Sequence, residues 1–146
     1  MEARLFPHGK RGGFEDKEDL RNWLDTDLRD RNGMYALARV FDVPPNTLAL
    51  FEKEGTILGC AVVREGAHEM TEEEREWRER HGLEGDWSAV MRVDPDTIWV
   101  WQSEQEVRLL EAGIHFLPGP PMTLTAQQVL SIFRLVAKRS GHRPGC

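Results

Sequence analysis

Cysteine is scarce in this chain: Cys60 and Cys146 are its only two. Two thiols, one in mid-strand and one at the end, make no disulfide framework, so a hydrophobic core must hold the fold together. Long apolar runs are missing too. No stretch approaches the roughly 18 residues of a membrane span, and the first residues, MEARLFPHGKRGGF, have no apolar signal-peptide core. Both absences point to a cytoplasmic protein with no membrane partner. His8, His68, His81, His115 and His142 are scattered, with no metal-spaced pair among them or with cysteine. There is no phosphate loop, and Gly12-Gly13 alone is no dinucleotide fingerprint. No serine sits in a nucleophile elbow, and no nuclease cluster is evident. The acidic run from Glu72 to Glu79 reads as a solvated helix face. The sequence therefore predicts no catalytic residue, metal or cofactor, and favours a binding module over an enzyme.

What is present fits one globular domain. Its 146 residues are 40% apolar and 30% charged, enough to bury about two thirds of the unfolded surface. The reading is a single domain over 1–146, with 1–13 as a flexible lead-in and 141–146 as a flexible tail. The net charge of −6 argues against indiscriminate nucleic-acid binding. The distribution qualifies that. Ser131 to Cys146 holds Arg134, Lys138, Arg139 and Arg143 and no acid, and Arg4, Lys10 and Arg11 cluster near the other end. These termini form either one positive face or a solvated helix end, where cations suit the helix dipole.

The periodicity predicts a helix from Asp16 to Leu28, with Leu20, Trp23, Leu24 and Leu28 on its apolar side. Met34 to Val43 reads as a strand. Thr47 to Lys53 and Thr56 to Glu65 read as a hairpin turning at Glu54-Gly55. The second strand carries Gly59 and Ala61, small residues that let another backbone or a flat ligand approach. Thr71 and Glu74 form a capping box. It opens a polar helix whose one large apolar residue, Trp77, either staples the segment down or lines a site. Trp87 to Val93 and Thr97 to Gln102 read as strands; Trp99 and Trp101 share one face, as core or as a cross-strand packing pair, with Ile98 and Val100 on the other. Glu104 to Ala112 reads as a short helix and Gly113 to Leu117 as a last strand. Thr125 and Gln128 cap a final helix with Val129, Ile132, Phe133 and Val136 on its buried stripe.

The order helix, strand, hairpin with Gly59-Cys60-Ala61, excursion, and a W-x-x-V-x-x-V strand from Trp87 to Val93 resembles the PUA-like superfamily, its EVE and YTH branches in particular. The likeness covers Met34 to Lys138, with Phe51 at the hairpin's aromatic position. The W-x-G-x-R-N-x-Q-A-R-N segment usual in the EVE branch is absent. RGGFEDKEDLRNWL is instead similar to the lead-in of EVE-like domains joined to HNH endonucleases in modification-dependent restriction.

The resemblance implies an α+β fold: a small mixed, PUA-like β-barrel of about five to six strands flanked by helices. It implies a reader that flips a modified cytosine or adenine out of double-stranded DNA into an aromatic pocket. The reader would be monomeric in isolation, would have no catalysis of its own, and would work with a fused or associated nuclease. Tyr35, Phe51, Trp77 and Trp87 would wall the pocket, with Asp86 and Ser88 reading polar edges. Lys10, Arg11, Arg134, Lys138 and Arg139 would hold phosphates. The alternatives are a modified-RNA reader of the YTH type, an ASCH-like small-molecule hydrolase using Lys53 and Glu52 (both read as solvated beside a turn), and a protein-interaction domain.

Overall fold

The computed structural model describes residues 1–9, 13–80, 87–115 and 120–140. Among them lies one mixed sheet of eight strands between helical layers. The strands are β1 (Ala3–Pro7), β2 (Met34–Leu37), β3 (Leu48–Lys53), β4 (Thr56–Glu69), β5 (Ala89–Val93), β6 (Trp99–Val100), β7 (Val107–Arg108) and β8 (Met122–Thr123). They run in the order β2-β5-β4-β3-β1-β8, with β6 and β7 also on β4. Eight strands replace the expected five to six, and this path ends at β2 and β8 without closing into a barrel.

β4 organises the sheet. One edge pairs with β3 along the predicted hairpin, and the other takes β7, β6 and β5 in turn. Register shifts between Val63 and Glu65 and between Glu65 and His68 mark irregularities along its pairing with β5, where a bulge bends a strand and increases its twist. β4 therefore reaches Glu69, four residues past the expected end. β1 is the largest departure from expectation. It pairs in parallel with β3 and lies inside the sheet, between β3 and β8, in the stretch read as a lead-in. Ala3, Leu5 and Phe6 are all buried, because a strand covered on both faces shows no simple alternation.

Two cores fill the two faces. On one, Phe6, Phe51, Leu58, Ala61, Val63, Tyr35 and Met91 pack under a helix carrying Leu20, Leu24 and Leu28. That helix is α1 (Lys17–Asn22), a π-helical turn (Trp23–Asp27) and α2 (Leu28–Asp30) in unbroken succession. Asp16 caps it, accepting from the Asp19 N–H. On the other face, Leu5, Leu50, Ile57, Cys60 and Trp101 pack under α4 (Ala126–Lys138) through Ile132 and Val136. Each side chain of this size, fully buried, contributes about 1.5–3 kcal/mol. Both halves of the predicted Thr125–Gln128 capping box are present, an arrangement in which the cap alone stabilises by about 1 kcal/mol. α3 (Glu72–Arg80) starts on its own capping box, Thr71 with Glu74.

Gly59 explains itself here. A Cβ at that position would stand 2.5 Å from the Trp99 carbonyl oxygen and 3.0 Å from Val100 Cα. The small residue admits β6, a second backbone, and not a ligand. The other differences are local. β2 ends at Leu37 and β6 holds two residues. Leu109–Ala112 is a 3-10 turn after β7. Gly113 to His115 is not a strand, and the chain there turns through Gly113 in the left-handed region. No helix among the described residues is long and apolar enough to cross a membrane.

Candidate functional site

Tyr35 and Phe51, expected as pocket walls, face a filled core. Phe51 is 1% exposed and Tyr35 9%, and their rings lie 5.8 Å apart. Phe6, His8 and Trp23 pack around Tyr35 at 5.8–5.9 Å. Trp77 lies elsewhere, with Met34, Met70 and Val90. Met34 and Tyr35 are consecutive in β2, so their side chains leave opposite faces of the sheet; this separates Trp77 from the Tyr35–Phe51 pair. Trp87 is half-buried, and its carbonyl accepts from Arg78 Nη1 at 3.0 Å. Ser88 is exposed, and its hydroxyl donates to the Ala38 carbonyl. Asp86, Lys10 and Arg11 lie outside the described residues. The five expected pocket residues that are described, Tyr35, Phe51, Trp77, Trp87 and Ser88, thus do not gather around one cavity.

At the centre of the core is a polar pair absent from the sequence reading. His8 Nδ1 lies 3.0 Å from the Glu52 carbonyl, and Nε2 lies 2.5 Å from the Tyr35 hydroxyl. The carbonyl only accepts, so in the neutral ring Nδ1–H donates to it and Nε2 accepts the phenol proton. Burial pushes the His8 pKa down to about 4, and the Lys53 charge adds to this against the opposing pull of the Glu52 and Phe6 backbone hydrogen bonds. Burial likewise raises the Tyr35 pKa. Glu52 and Lys53, read as solvated, are 2% and 3% exposed. They do not converge: they are neighbours on a strand, and Glu52 Oε2 turns back to accept from the Gly55 N–H. Burial raises the Glu52 pKa against that bond.

A second polar group joins Glu65, His68 and Glu74, whose ligand atoms lie within 4.8 Å of one another. It carries its own counter-ion. Arg92 stands 3.4 Å from both Glu65 and Glu74. His68 Nδ1–H donates to the Gly66 carbonyl, and Nε2 meets Glu74 at 3.0 Å. Burial opposes the His68 charge, but the Gly66 carbonyl and the Glu74 carboxylate outweigh it and raise the pKa.

The exposed aromatic surface is on the far side. Trp101 is fully buried, but Trp99, expected as core, is 46% exposed. Its ring stacks on Phe133 of α4 at 6.2 Å with an interplanar angle of 19°, and Trp101 braces both rings edge-on. β6 has no side-chain choice here: Ile98 and Val100 fill the opposite core, so Trp99 must leave toward α4. Leu130, one turn before Phe133 and Arg134, is 50% exposed. Arg134 and Lys138 are exposed and have no ion-pair partner among the described residues. Arg139, grouped with them in the sequence reading, is committed elsewhere: its guanidinium pairs with Glu111 and donates to the Glu106 carbonyl at 2.7 Å. The bond to Arg139 holds the Glu111 carboxyl below its usual range.

An exposed tryptophan backed by a second ring can stack a planar ring, and the two unpaired cations on the helix that supplies that second ring can neutralise an anion. Arg134 and Lys138 were legible as cations in an acid-free segment. The exposure of Trp99 was not, because alternation assigns a residue to a face without saying how completely α4 covers it. Comparison of the chain with known protein families, curated proteins and solved structures finds no match in any of the three.

Proposed function

We propose that this domain binds nucleic acid, stacking an unpaired or flipped base on Trp99 and holding neighbouring phosphates with Arg134 and Lys138. The observation that carries the reading is the Trp99–Phe133 stack, 46% exposed at the tryptophan, whose Phe133 lies on a helix with only basic charged side chains. Aromatic–base stacking is worth about 1–3 kcal/mol per base and tolerates any base. The two cations act on the backbone, where contacts set register and not sequence.

The finer reading is a PUA-like module, without catalysis of its own, that selects a modified base in DNA for a restriction system. It draws support from the hairpin that carries the resemblance, where Phe51 pairs with Gly59 and Ala49 with Ala61. On this reading base capture moves from the filled Tyr35–Phe51 core to the α4 side of the sheet. The deciding experiment is a gel-shift panel at fixed salt. It uses single strands and duplexes, DNA and RNA, carrying cytosine, 5-methylcytosine, 5-hydroxymethylcytosine or N6-methyladenine. Preference for one modified DNA supports the finer reading. Equal binding to all four bases leaves only the stacking platform, and no binding to any strand ends the nucleic-acid reading altogether.

Salt dependence separates the cations from the ring. Each phosphate contact to a single strand contributes about 0.7 to the slope of log K against log salt. The Arg134→Gln, Lys138→Gln double variant is therefore expected to lower the slope by about 1.4. An unchanged slope would place the phosphates elsewhere.

A further inference from the structure

Among the described residues, the half-buried arginines nearly all have acceptors. Arg4, Arg21, Arg92 and Arg139 meet carboxylates, and Arg78 meets the Trp87 carbonyl. Arg31 is the exception: no hydrogen-bond acceptor or ion-pair partner lies on its guanidinium. Its own backbone N–H is spent on the Asp27 carbonyl, and Asp27 acts on the side chain only through space.

The guanidinium is nevertheless held. It lies 5.1 Å from the Trp23 ring centroid and 5.9 Å from that of Trp77, within cation–π range of both. Trp23 starts the π-helical turn and is fixed by Phe14 and Tyr35. Trp77 is fixed on α3 by Met34, Met70 and Val90. Two separately anchored rings thus position one cation, and burial lowers its pKa. A guanidinium held by cation–π attraction to two rings spends none of its N–H donors on those rings. Its planar N–H fork matches two coplanar oxygens.

We propose that Arg31, set by Trp23 and Trp77, is a binding site for a small carboxylate. The charge around it selects against a polyanion. Glu72, Glu73, Glu76 and Glu79 line the exposed side of α3, whose Trp77 forms part of the site. They repel a strand of phosphates more strongly than a single carboxylate, whose one charge is offset by a bidentate bond to the fork. The site is independent of the Trp99 platform.

The test is an NMR titration of the whole chain with acetate, with chloride at matched ionic strength as the blank and inorganic phosphate as a second anion. The probes are the Arg31 Nε–H and the Trp23 and Trp77 indole N–H resonances. The proposal expects a saturable shift with acetate, none with chloride, and loss of the indole response in Arg31→Lys, which keeps the charge but not the fork. Trp77→Leu, which removes one ring, is expected to weaken the acetate response without abolishing it. Identical linear shifts with acetate and chloride would overturn the site. So would a full indole response in Arg31→Lys, with the spectrum otherwise unchanged. Tighter binding of phosphate than of acetate would overturn the carboxylate assignment.

Discussion

Replacing Gly59 with alanine is expected to destabilise the domain by about 1–3 kcal/mol, the usual cost of forcing one extra methyl into a packed site. The methyl would meet backbone, not the end of a flexible side chain: the Trp99 carbonyl oxygen at 2.5 Å and Val100 Cα at 3.0 Å. Relief requires β6 to move off β4, which breaks the Gly59–Val100 and Cys60–Trp99 pairs. Trp99 would move with it, so the near-ultraviolet dichroism of the tryptophans is expected to change along with the denaturation midpoint. Gly9→Ala is the control. Nothing lies within 4 Å of a Cβ there, and its effect should stay within about 0.5 kcal/mol, as for ordinary surface substitutions. Equal midpoints for the two variants would mean that β6 does not pack on β4 as described.

Acid is expected to weaken the fold well above the pH at which its carboxylates titrate. The cause is His8, buried and neutral between the Glu52 carbonyl and the Tyr35 hydroxyl. Its folded pKa is about 4 against the ordinary 6.5, so the unfolded chain binds the proton first. The stability due to the neutral ring is complete above pH 6.5 and is lost progressively as pH falls toward 4. Over that window the loss is about 3 kcal/mol, at 1.36 kcal/mol per pKa unit. This is a large share of the roughly 5–15 kcal/mol that holds a domain together. His68 acts with the opposite sign. Its raised pKa adds stability below pH 6.5 that disappears as pH rises through the folded value, but it is 33% exposed at the side chain and solvent screening makes its share smaller.

Urea midpoints measured from pH 8 to pH 4 check the prediction. A His8→Gln variant should show a flatter profile. At pH 7, Tyr35→Phe should cost about 1–3 kcal/mol by leaving Nε2 buried without a donor. A profile for His8→Gln parallel to that of the unaltered chain would remove His8 as the cause.

These two results also mark where the sequence was legible. The three helices follow from local chemistry: caps at Asp16, Thr71 and Thr125, joined in the first and last by apolar residues three and four apart, and each lies where the sequence places it. The β3–β4 hairpin follows from its turn residues. What failed depends on partners distant in the chain. β1 pairs with β3 more than forty residues away, and nothing local in ARLFP distinguishes an inner strand from a lead-in. Gly59 announced a close approach, but only the fold shows β6 as the object approached.

The site divides in the same way. Arg134 and Lys138 were visible as unopposed charge. The pairing of Tyr35 with His8 was invisible because it joins β2 to the residue just past β1, 27 positions away in the chain. Grouping Tyr35 and Phe51 with Trp77 failed because Met34 and Tyr35, adjacent in sequence, point to opposite sides.

The central claim is that Trp99 is a stacking surface and not an accident of incomplete packing. It is tested most directly by the affinity of Trp99→Ala for a short single-stranded oligonucleotide, at the same salt as the unaltered chain and with the folded state verified by α4 helicity. Loss of one stacked base predicts roughly a 5- to 150-fold weaker complex, the equivalent of about 1–3 kcal/mol. Unchanged affinity in a folded variant would contradict the account.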